Sequence, residues 1–168
     1  MKICIWITKI FDLGGTKRVV SLLANELVKE HEVTIMTYED RFREDRTMYH
    51  LSEDINVDFI DNSQFVNKHH TPAFCARYLV KKLNDRSGLF NKKSLNPILA
   101  EAIFPQKTRE KWVEYFNSQD YDVILTTASL SLRLAMIAPR LKAATIGWQH
   151  NCYDGYLHVK PVVFWQQE

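Results

Sequence analysis

The chain has 168 residues, 46% hydrophobic and 25% charged, with a formal net charge of +2. That composition suits one domain with a substantial core and excludes wholesale disorder, and five Gly and five Pro exclude collagen-like or low-complexity sequence. No run approaches the ~18 apolar residues of a membrane span, and the N-terminal apolar run is too short for a signal peptide, so a cytoplasmic protein is expected.

Lys2–Thr8 is a continuous apolar run and reads as a strand buried on both faces, as parallel sheets require. A loop over 9–15 ends in Gly14-Gly15, and Thr16 is the expected N-cap of a helix. In that helix Val19, Val20, Leu23, Ala24, Leu27 and Val28 recur at helical spacing, opposite Arg18, Asn25, Glu26 and Lys29. Glu32–Tyr38 is a second strand, which completes a βαβ unit. Ile55–Ile60 alternates apolar with polar and reads as a third strand nearer a sheet edge. Ala73–Leu83 and Thr108–Phe116 read as helices, with Asn96-Pro97 and Phe104-Pro105 as breaks. Asp122–Thr126 is a strand, Ser129–Leu141 a helix and Ala144–Gln149 a last strand. The alternation predicts an α/β domain spanning 1–168, with an open, mostly parallel Rossmann-like sheet and helices on both faces.

In such sheets ligands bind beyond the carboxyl ends of the strands. The rule selects the Gly14-Gly15 loop, Tyr38–Asp40, Thr126–Ser129 and Gln149–Asp154. Gly14-Gly15-Thr16-Lys17-Arg18 opens a helix. Glycine lets the backbone approach a ligand, free N–H groups and the dipole favour an anion, and Lys17 adds charge, so a phosphate or diphosphate would be held there. The bland alternative is a tight turn that binds nothing. The segment is neither a Gly-x-Gly-x-x-Gly fingerprint nor a P-loop, which weakens NAD and ATP readings. His150 follows the last strand beside Gln149 and Asn151, amides suited to sugar hydroxyls, and imidazole can act as a general base. A structural histidine is the alternative. No Gly-x-Ser-x-Gly elbow is present.

Cys4, Cys75 and Cys152 are too few and too widely spaced for a disulfide framework or a structural zinc site. His69-His70 with Cys75 is the nearest approach to a metal cluster and lacks a second spaced pair, so no metal is expected. Charge is unevenly spread: residues 68–111 carry ten Lys/Arg against three Asp/Glu. This basic block is read either as a solvated helical face or as a contact with an anionic membrane surface. It lacks the aromatic interleaving of a nucleic-acid binder.

The segments Lys2-Ile-Cys-Ile-Trp-Ile, Leu13-Gly-Gly-Thr-Lys-Arg-Val-Val, Leu22-Leu-Ala-Asn-Glu-Leu and His31-Glu-Val-Thr-Ile-Met-Thr together resemble the opening of glycosyltransferase family 4. Asp120-Tyr-Asp-Val-Ile continues the likeness. Ile146-Gly-Trp-Gln-His-Asn-Cys-Tyr-Asp-Gly-Tyr is similar to a stretch of bacterial teichoic-acid and capsule-type glycosyltransferases. The likeness covers about residues 1–40 and 120–158.

The resemblance implies the N-terminal, acceptor-binding half of a GT-B fold. A second domain would bind a UDP- or GDP-hexose as co-substrate, and transfer would retain anomeric configuration without a metal. It implies that Gly14 and Gly15, with Thr16 and Lys17, close over the donor diphosphate. Thr126, Thr127 and Asn151 would border the substrates, and His150 would be the catalytic residue contacting sugar or acceptor. The expected acceptor is a cell-surface polysaccharide or a lipid-linked glycan, with the protein peripheral at the inner face of the plasma membrane. Three departures accompany the likeness: no Glu-x7-Glu pair of the family occurs in these residues, so the domain that carries it is expected to lie outside them, Glu30 stands where a helix-capping glycine is common, and Thr16-Lys17 replaces Ala-Glu. This chain alone is expected to turn over little or nothing without a donor-binding domain or partner subunit. Two other readings stay open. One is a non-catalytic Rossmann-like binding or membrane-docking subunit of a partner glycosyltransferase. The other is a methyltransferase or epimerase, for which Glu39 and Asp40 would be the acids ending strand two.

Overall fold

The computed structural model describes residues 1–39, 41–65, 72–88, 95–127 and 129–148, with the backbone alone at positions 74, 85, 96 and 129. Five strands, β1 (Lys2–Trp6), β2 (Glu32–Thr37), β3 (Asn56–Phe59), β4 (Val123–Thr127) and β5 (Ala144–Trp148), form one sheet in the order β3-β2-β1-β4-β5. Every pairing is parallel. The five helices are α1 (Gly15–Leu27), α2 (Pro72–Ser87), α3 (Asn96–Ile103), α4 (Gln106–Ser118) and α5 (Ser129–Ile137), the last prolonged by a 3₁₀ turn at Ala138–Arg140. This is an open, Rossmann-like α/β sheet, with β3 at an edge as its alternating pattern predicts.

The described residues fall into two compact units, one from Met1–Gln64 and Trp112–His150, the other from Phe65–Lys111. The first contains the whole sheet. In the second, the Thr108 hydroxyl donates to the Phe65 carbonyl (3.2 Å), and Arg109 pairs with Glu101 at 2.6 Å.

β1 sits mid-sheet and is buried on both faces, which explains its unbroken apolar run. Its odd positions Ile3 and Ile5, with Val33 and Ile35 of β2, pack beneath Val20 and Ala24 of α1. Leu51 and Ile55, from the connection after β2, join this aliphatic layer. Of the expected helical stripe, Leu23, Leu27 and Val28 pack at its margin, whereas Val19 is 38% exposed.

The even positions face a different layer. Trp6 is fully buried, its ring 4.7 Å from that of Trp112 and 5.2 Å from that of Phe116, both on α4. Its indole N–H donates to the Tyr38 hydroxyl at 3.0 Å. Such aromatic pairs add about 0.5–1.5 kcal/mol each beyond the area they bury. Tyr115 of α4 donates to Asp58 of β3 at 2.7 Å. α1 and α4 therefore cover opposite faces of the sheet, as expected. α5 lies on the α4 side, where Gly147 of β5 meets it: a Cβ there would stand 3.1 Å from the Ser131 Cβ, so a larger residue would require Ser131 to give way.

Two boundaries differ from the sequence reading. α1 starts at Gly15 with no side-chain cap, so Thr16 lies inside the first turn instead of capping it. The two prolines read as breaks frame a helix, α3: Pro97 occupies its first turn, where a missing N–H costs nothing, and Pro105 follows its end.

The aromatic layer sets an alkaline limit. Burial pushes the Tyr38 hydroxyl up to about 12, opposed by the neighbouring Arg133 guanidinium. Burial likewise raises Tyr115, Tyr121 and the Cys4 thiol well above their usual values, with Asp58 adding to the rise at Tyr115. An unfolded tyrosine loses its proton at about pH 10. The tyrosine contribution to stability is therefore fully present below that pH and falls as pH rises toward the folded-state values, by at most about 1.4 kcal/mol per pH unit for Tyr38 and less for the more exposed tyrosines. The loss starts earlier for Cys4, whose unfolded thiol ionises at about pH 8.5. Urea midpoints should begin to fall above about pH 8.5 and fall more steeply from about pH 10 upward, and a midpoint unchanged at the highest pH contradicts the assignment.

Candidate functional site

Because all strands run the same way, their carboxyl ends share one edge. Trp6, Thr126 and Gly147 are register neighbours there, and Met36 pairs with Trp6 on the other side. The chain leaves β1 through residues 7–14 and enters α1 at Gly15. The edge is therefore flanked by the Gly14–Lys17 segment, by Tyr38 and Glu39, and by Thr126 and Thr127.

The β1–α1 loop is held from below. Glu39 is 7% exposed, and one of its carboxylate oxygens accepts the backbone N–H groups of Ile10 (2.6 Å) and Phe11 (2.9 Å). The Thr37 hydroxyl donates to the same oxygen at 3.4 Å. The other oxygen, Oε1, is buried and has no hydrogen-bond partner among the described residues. A carboxylate accepting backbone N–H groups makes charge-assisted bonds, about twice as strong as neutral ones.

The loop is also held from the side. The Gly14 N–H donates to the Tyr49 hydroxyl at 2.8 Å, and that hydroxyl donates back to the Gly14 carbonyl at 3.3 Å. Tyr49 is itself placed by the connection after β2. There the Asn25 side chain of α1 donates to the His50 carbonyl and accepts from Ser52 N–H, each at 2.9 Å. Arg46 ties the same connection together, donating to the carbonyls of Ser52 (2.7 Å) and Ile55 (3.1 Å).

At the start of α1, Arg18 N–H closes the first helical bond to the Gly14 carbonyl (3.2 Å), and no side chain caps the end. The first turn holds no acid. Lys17 folds back so that its ammonium would stand 3.0 Å from a Cβ placed on Gly14, while a Cβ on Gly15 would meet nothing within 4 Å. Asp12 is the nearby exposed acid in the loop. It pairs with Lys9 at 3.3 Å, and that hydrogen bond, with the lysine charge, holds its carboxyl below the usual value. The corner is positively polarised, and no side chain among the described residues caps it.

The predicted site residues separate into three groups. Gly14, Gly15, Thr16 and Lys17 form the corner just described. Thr126 and Thr127 lie at the same sheet edge but are buried, and the Thr126 hydroxyl donates to Ser131 of α5 at 3.3 Å, so they offer strand-end backbone more than free hydroxyls. His150 and Asn151 lie outside the described residues, as do Asp40, His69 and His70. Compared with known proteins, the chain matches no family model and no curated protein.

Sequence reasoning missed Glu39, Tyr49 and Arg133. Glu39 read as an acid available to a nucleotide ribose, but its carboxylate is turned under the β1–α1 loop and spent on two amides. This geometry disfavours the dinucleotide and methyl-donor reading. Tyr49 sits in a segment without periodicity, and no local signal ties it to a glycine 35 residues away. Arg133 lies beside the Tyr38 hydroxyl and brings a cation toward the same edge.

A second cleft lies at the amino ends of the strands, lined by Phe116, Asn117, Asp122 and Lys142 among others. Two of its polar side chains, Asp122 and Asn117, are already engaged. Asp122 accepts from Lys2 N–H (2.7 Å), while Asn117 donates to the Arg140 carbonyl (3.1 Å) and accepts from Lys142 N–H (2.9 Å).

Glu39 supplies a direct test. Glu39→Ala strands two buried N–H groups and should cost about 2–4 kcal/mol. Glu39→Gln keeps an oxygen for both amides and should cost about 1 kcal/mol. Urea denaturation reads the stability difference, and hydrogen exchange should show lost protection at the Ile10 and Phe11 amides in the alanine variant. Equal midpoints for the two variants would show that these bonds do not hold the loop.

Proposed function

We propose that the chain is the acceptor-side domain of a retaining glycosyltransferase, which transfers a hexose from a nucleotide sugar to a cell-surface polysaccharide or a lipid-linked acceptor. One observation carries this reading. An uncapped helix start, with a lysine ammonium folded over a glycine turn, sits at the carboxyl edge of a parallel sheet. Free N–H groups, the helix dipole and Lys17 together suit the diphosphate of a UDP- or GDP-sugar. The open space above Gly15 lets phosphate oxygens approach the backbone.

In this reading the chain's own residues bind and orient. Gly15 and Thr16 present backbone N–H groups to the departing diphosphate, on a turn that Tyr49 fixes through the Gly14 N–H, and Lys17 neutralises charge that grows as the glycosidic bond breaks. Thr126, Thr127 and Asn151 border the acceptor side, and His150 contacts sugar or acceptor. The donor nucleoside itself is held by a further domain or subunit, so this chain alone turns over little or nothing. The likeness of the Gly-Gly and Gly-Trp-Gln-His-Asn segments to glycosyltransferase family 4 supports the same assignment.

Calorimetric titration with UDP, GDP and inorganic diphosphate tests the corner directly. The chain should bind diphosphate-bearing ligands, and Lys17→Glu should weaken them about 10- to 100-fold, the range expected for losing one charge-assisted contact. Gly15 has room for a Cβ, so Gly15→Trp should fold, with circular dichroism as the check, and should abolish binding. Transfer from UDP- or GDP-hexose, assayed with a donor-binding domain present, should drop at least about tenfold in kcat/KM for the same variants and for His150→Ala. Transfer undiminished in all three variants would remove the site assignment.

A further inference from the structure

We infer that Tyr38 and Arg133 form a second anion subsite, which takes a phosphate ester carried by the acceptor; the assignment to the acceptor rests on the sugar-transfer reading. The strand order β3-β2-β1-β4-β5 reverses direction between β1 and β4. The chain leaves these two neighbouring strands toward opposite faces, into α1 and α5. Beyond the carboxyl ends at such a switch point, open parallel sheets bind their ligands. The last residue of β1, Trp6, pairs with Met36 of β2 on one side and with Thr126 of β4 on the other. Tyr38 comes to this place from one half of the sheet, directly after β2. Arg133 comes from the other half, on α5, which follows β4.

The Tyr38 hydroxyl is surrounded by donors. The Trp6 indole N–H donates to it at 3.0 Å, and the Arg133 guanidinium lies beside it. Both groups have protons to give and no lone pair to offer. The O–H proton of Tyr38 therefore has no acceptor among the described residues and is available to a ligand oxygen. Burial holds that proton in place by pushing the hydroxyl up to about 12. Tyr38 is fixed edge-on to Trp6 and Trp112, with ring centres 6.3 and 6.1 Å away. Arg133 is fixed by α5, whose Leu130 and Leu134 are buried and whose Ser131 accepts from Thr126 at 3.3 Å. No carboxylate among the described residues acts on the hydroxyl. The adjacent acid, Glu39, is engaged by the Ile10 and Phe11 amides.

A cluster that only donates, and carries a positive charge, selects a ligand rich in acceptor oxygens. A neutral sugar hydroxyl brings a proton of its own, for which this pair offers only the Tyr38 oxygen, already an acceptor. A carboxylate has two oxygens in one plane, which a guanidinium satisfies alone. The tetrahedral oxygens of a phosphate can accept from Tyr38 on one side and Arg133 on the other. The donor diphosphate is assigned to the start of α1, and Thr126 borders the acceptor, so the second phosphate belongs to the acceptor.

Glycerol phosphate, titrated into the isotope-labelled full chain, tests the proposal, with the Trp6 indole N–H resonance as the reporter. An oxygen that accepts the Tyr38 proton polarises the hydroxyl and strengthens the bond it accepts from Trp6. The resonance should move saturably, with a Kd on the order of 1–10 mM. Glycerol and acetate should leave it in place. Arg133→Gln should weaken binding about 10- to 100-fold, and Arg133→Lys, which keeps the charge and loses the fork, should recover only part of the loss. Tyr38→Phe should weaken binding about tenfold. Circular dichroism and urea midpoints verify folding, and the two Arg133 variants carry the test if Tyr38→Phe does not fold. Lys17→Glu should weaken inorganic diphosphate and leave glycerol phosphate within about twofold, and Arg133→Gln should do the reverse. A Trp6 resonance unmoved at about 50 mM glycerol phosphate overturns the proposal. Equal movement with glycerol or acetate does so too, as does unchanged binding in Arg133→Gln. Response to inorganic phosphate alone assigns a free anion and overturns the ester. If Lys17→Glu removes both ligands together, one corner binds both, and the second subsite falls while the diphosphate reading stands. Diphosphate failing to bind while glycerol phosphate still moves Trp6 sinks the donor corner and upholds the Tyr38–Arg133 subsite.

Discussion

A carboxylate buried under a loop organises the functional edge of this sheet. The chain leaves β1 from a position buried on both faces, and its next amides would have no partner inside the protein. Glu39, at the end of the neighbouring strand, provides one oxygen to both Ile10 and Phe11. Burying unpaired N–H groups costs about 1–3 kcal/mol each, so the loop's path depends on this side chain. The same commitment removes Glu39 from ligand recognition. A dinucleotide-binding sheet keeps an acid at this strand end for the ribose, whereas this sheet has used it as masonry. What is left for a ligand is the helix start beyond the loop, fixed laterally by Tyr49.

The two faces of the sheet contribute differently to that fixation. The α1 face is aliphatic, and its isoleucines and valines fix the height of the helix over β1 and β2. The α4 face is aromatic and partly polar: Trp6 holds Tyr38 through its indole N–H, and Asp58 receives the Tyr115 hydroxyl. Tyr38 thus joins the aromatic layer to the carboxyl edge. Tyr38, which touches both Trp6 and Trp112, directly follows β2 and directly precedes Glu39, so the aromatic packing and the anchor of the loop are adjacent in the chain.

The sheet was legible because doubly buried parallel strands leave long apolar runs, unbroken in Ile3–Ile7 and interrupted only by Thr34 in Val33–Met36. The start of α1 was legible in kind, from two glycines before a periodic stripe, but not in detail. Thr16 had the chemistry of a cap, yet the backbone enters the helix at Gly15, and the end is left uncapped. α3 was missed because Pro97 and Pro105 punctuate, and punctuation marks a helix's two ends as readily as a loop. The roles of Glu39 and Tyr49 were not legible, since their partners lie 28 to 35 residues away and belong to the fold. α2 was legible as a helix over Ala73–Leu83, but the exposure of Leu79 and Leu83 was not, because helical spacing leaves the cover of a face undetermined.

The electrostatics of the α1 corner show how an acid-rich neighbourhood can still favour an anion. Residues 1–67 carry twelve Asp/Glu against eight Lys/Arg, and on net charge alone this half would repel phosphate. The acids nearest the corner, however, have their charge taken up. Asp12 faces Lys9 across 3.3 Å, and Glu39 faces two amide N–H groups from within the protein. Exposed charges farther than about 8–10 Å are screened at physiological salt. The local balance then rests on the helix dipole, the uncapped first-turn N–H groups and Lys17, all of positive sign. Anion affinity at such a corner is decided within one Debye length, by which charges are already engaged, and net charge over the chain carries little of it.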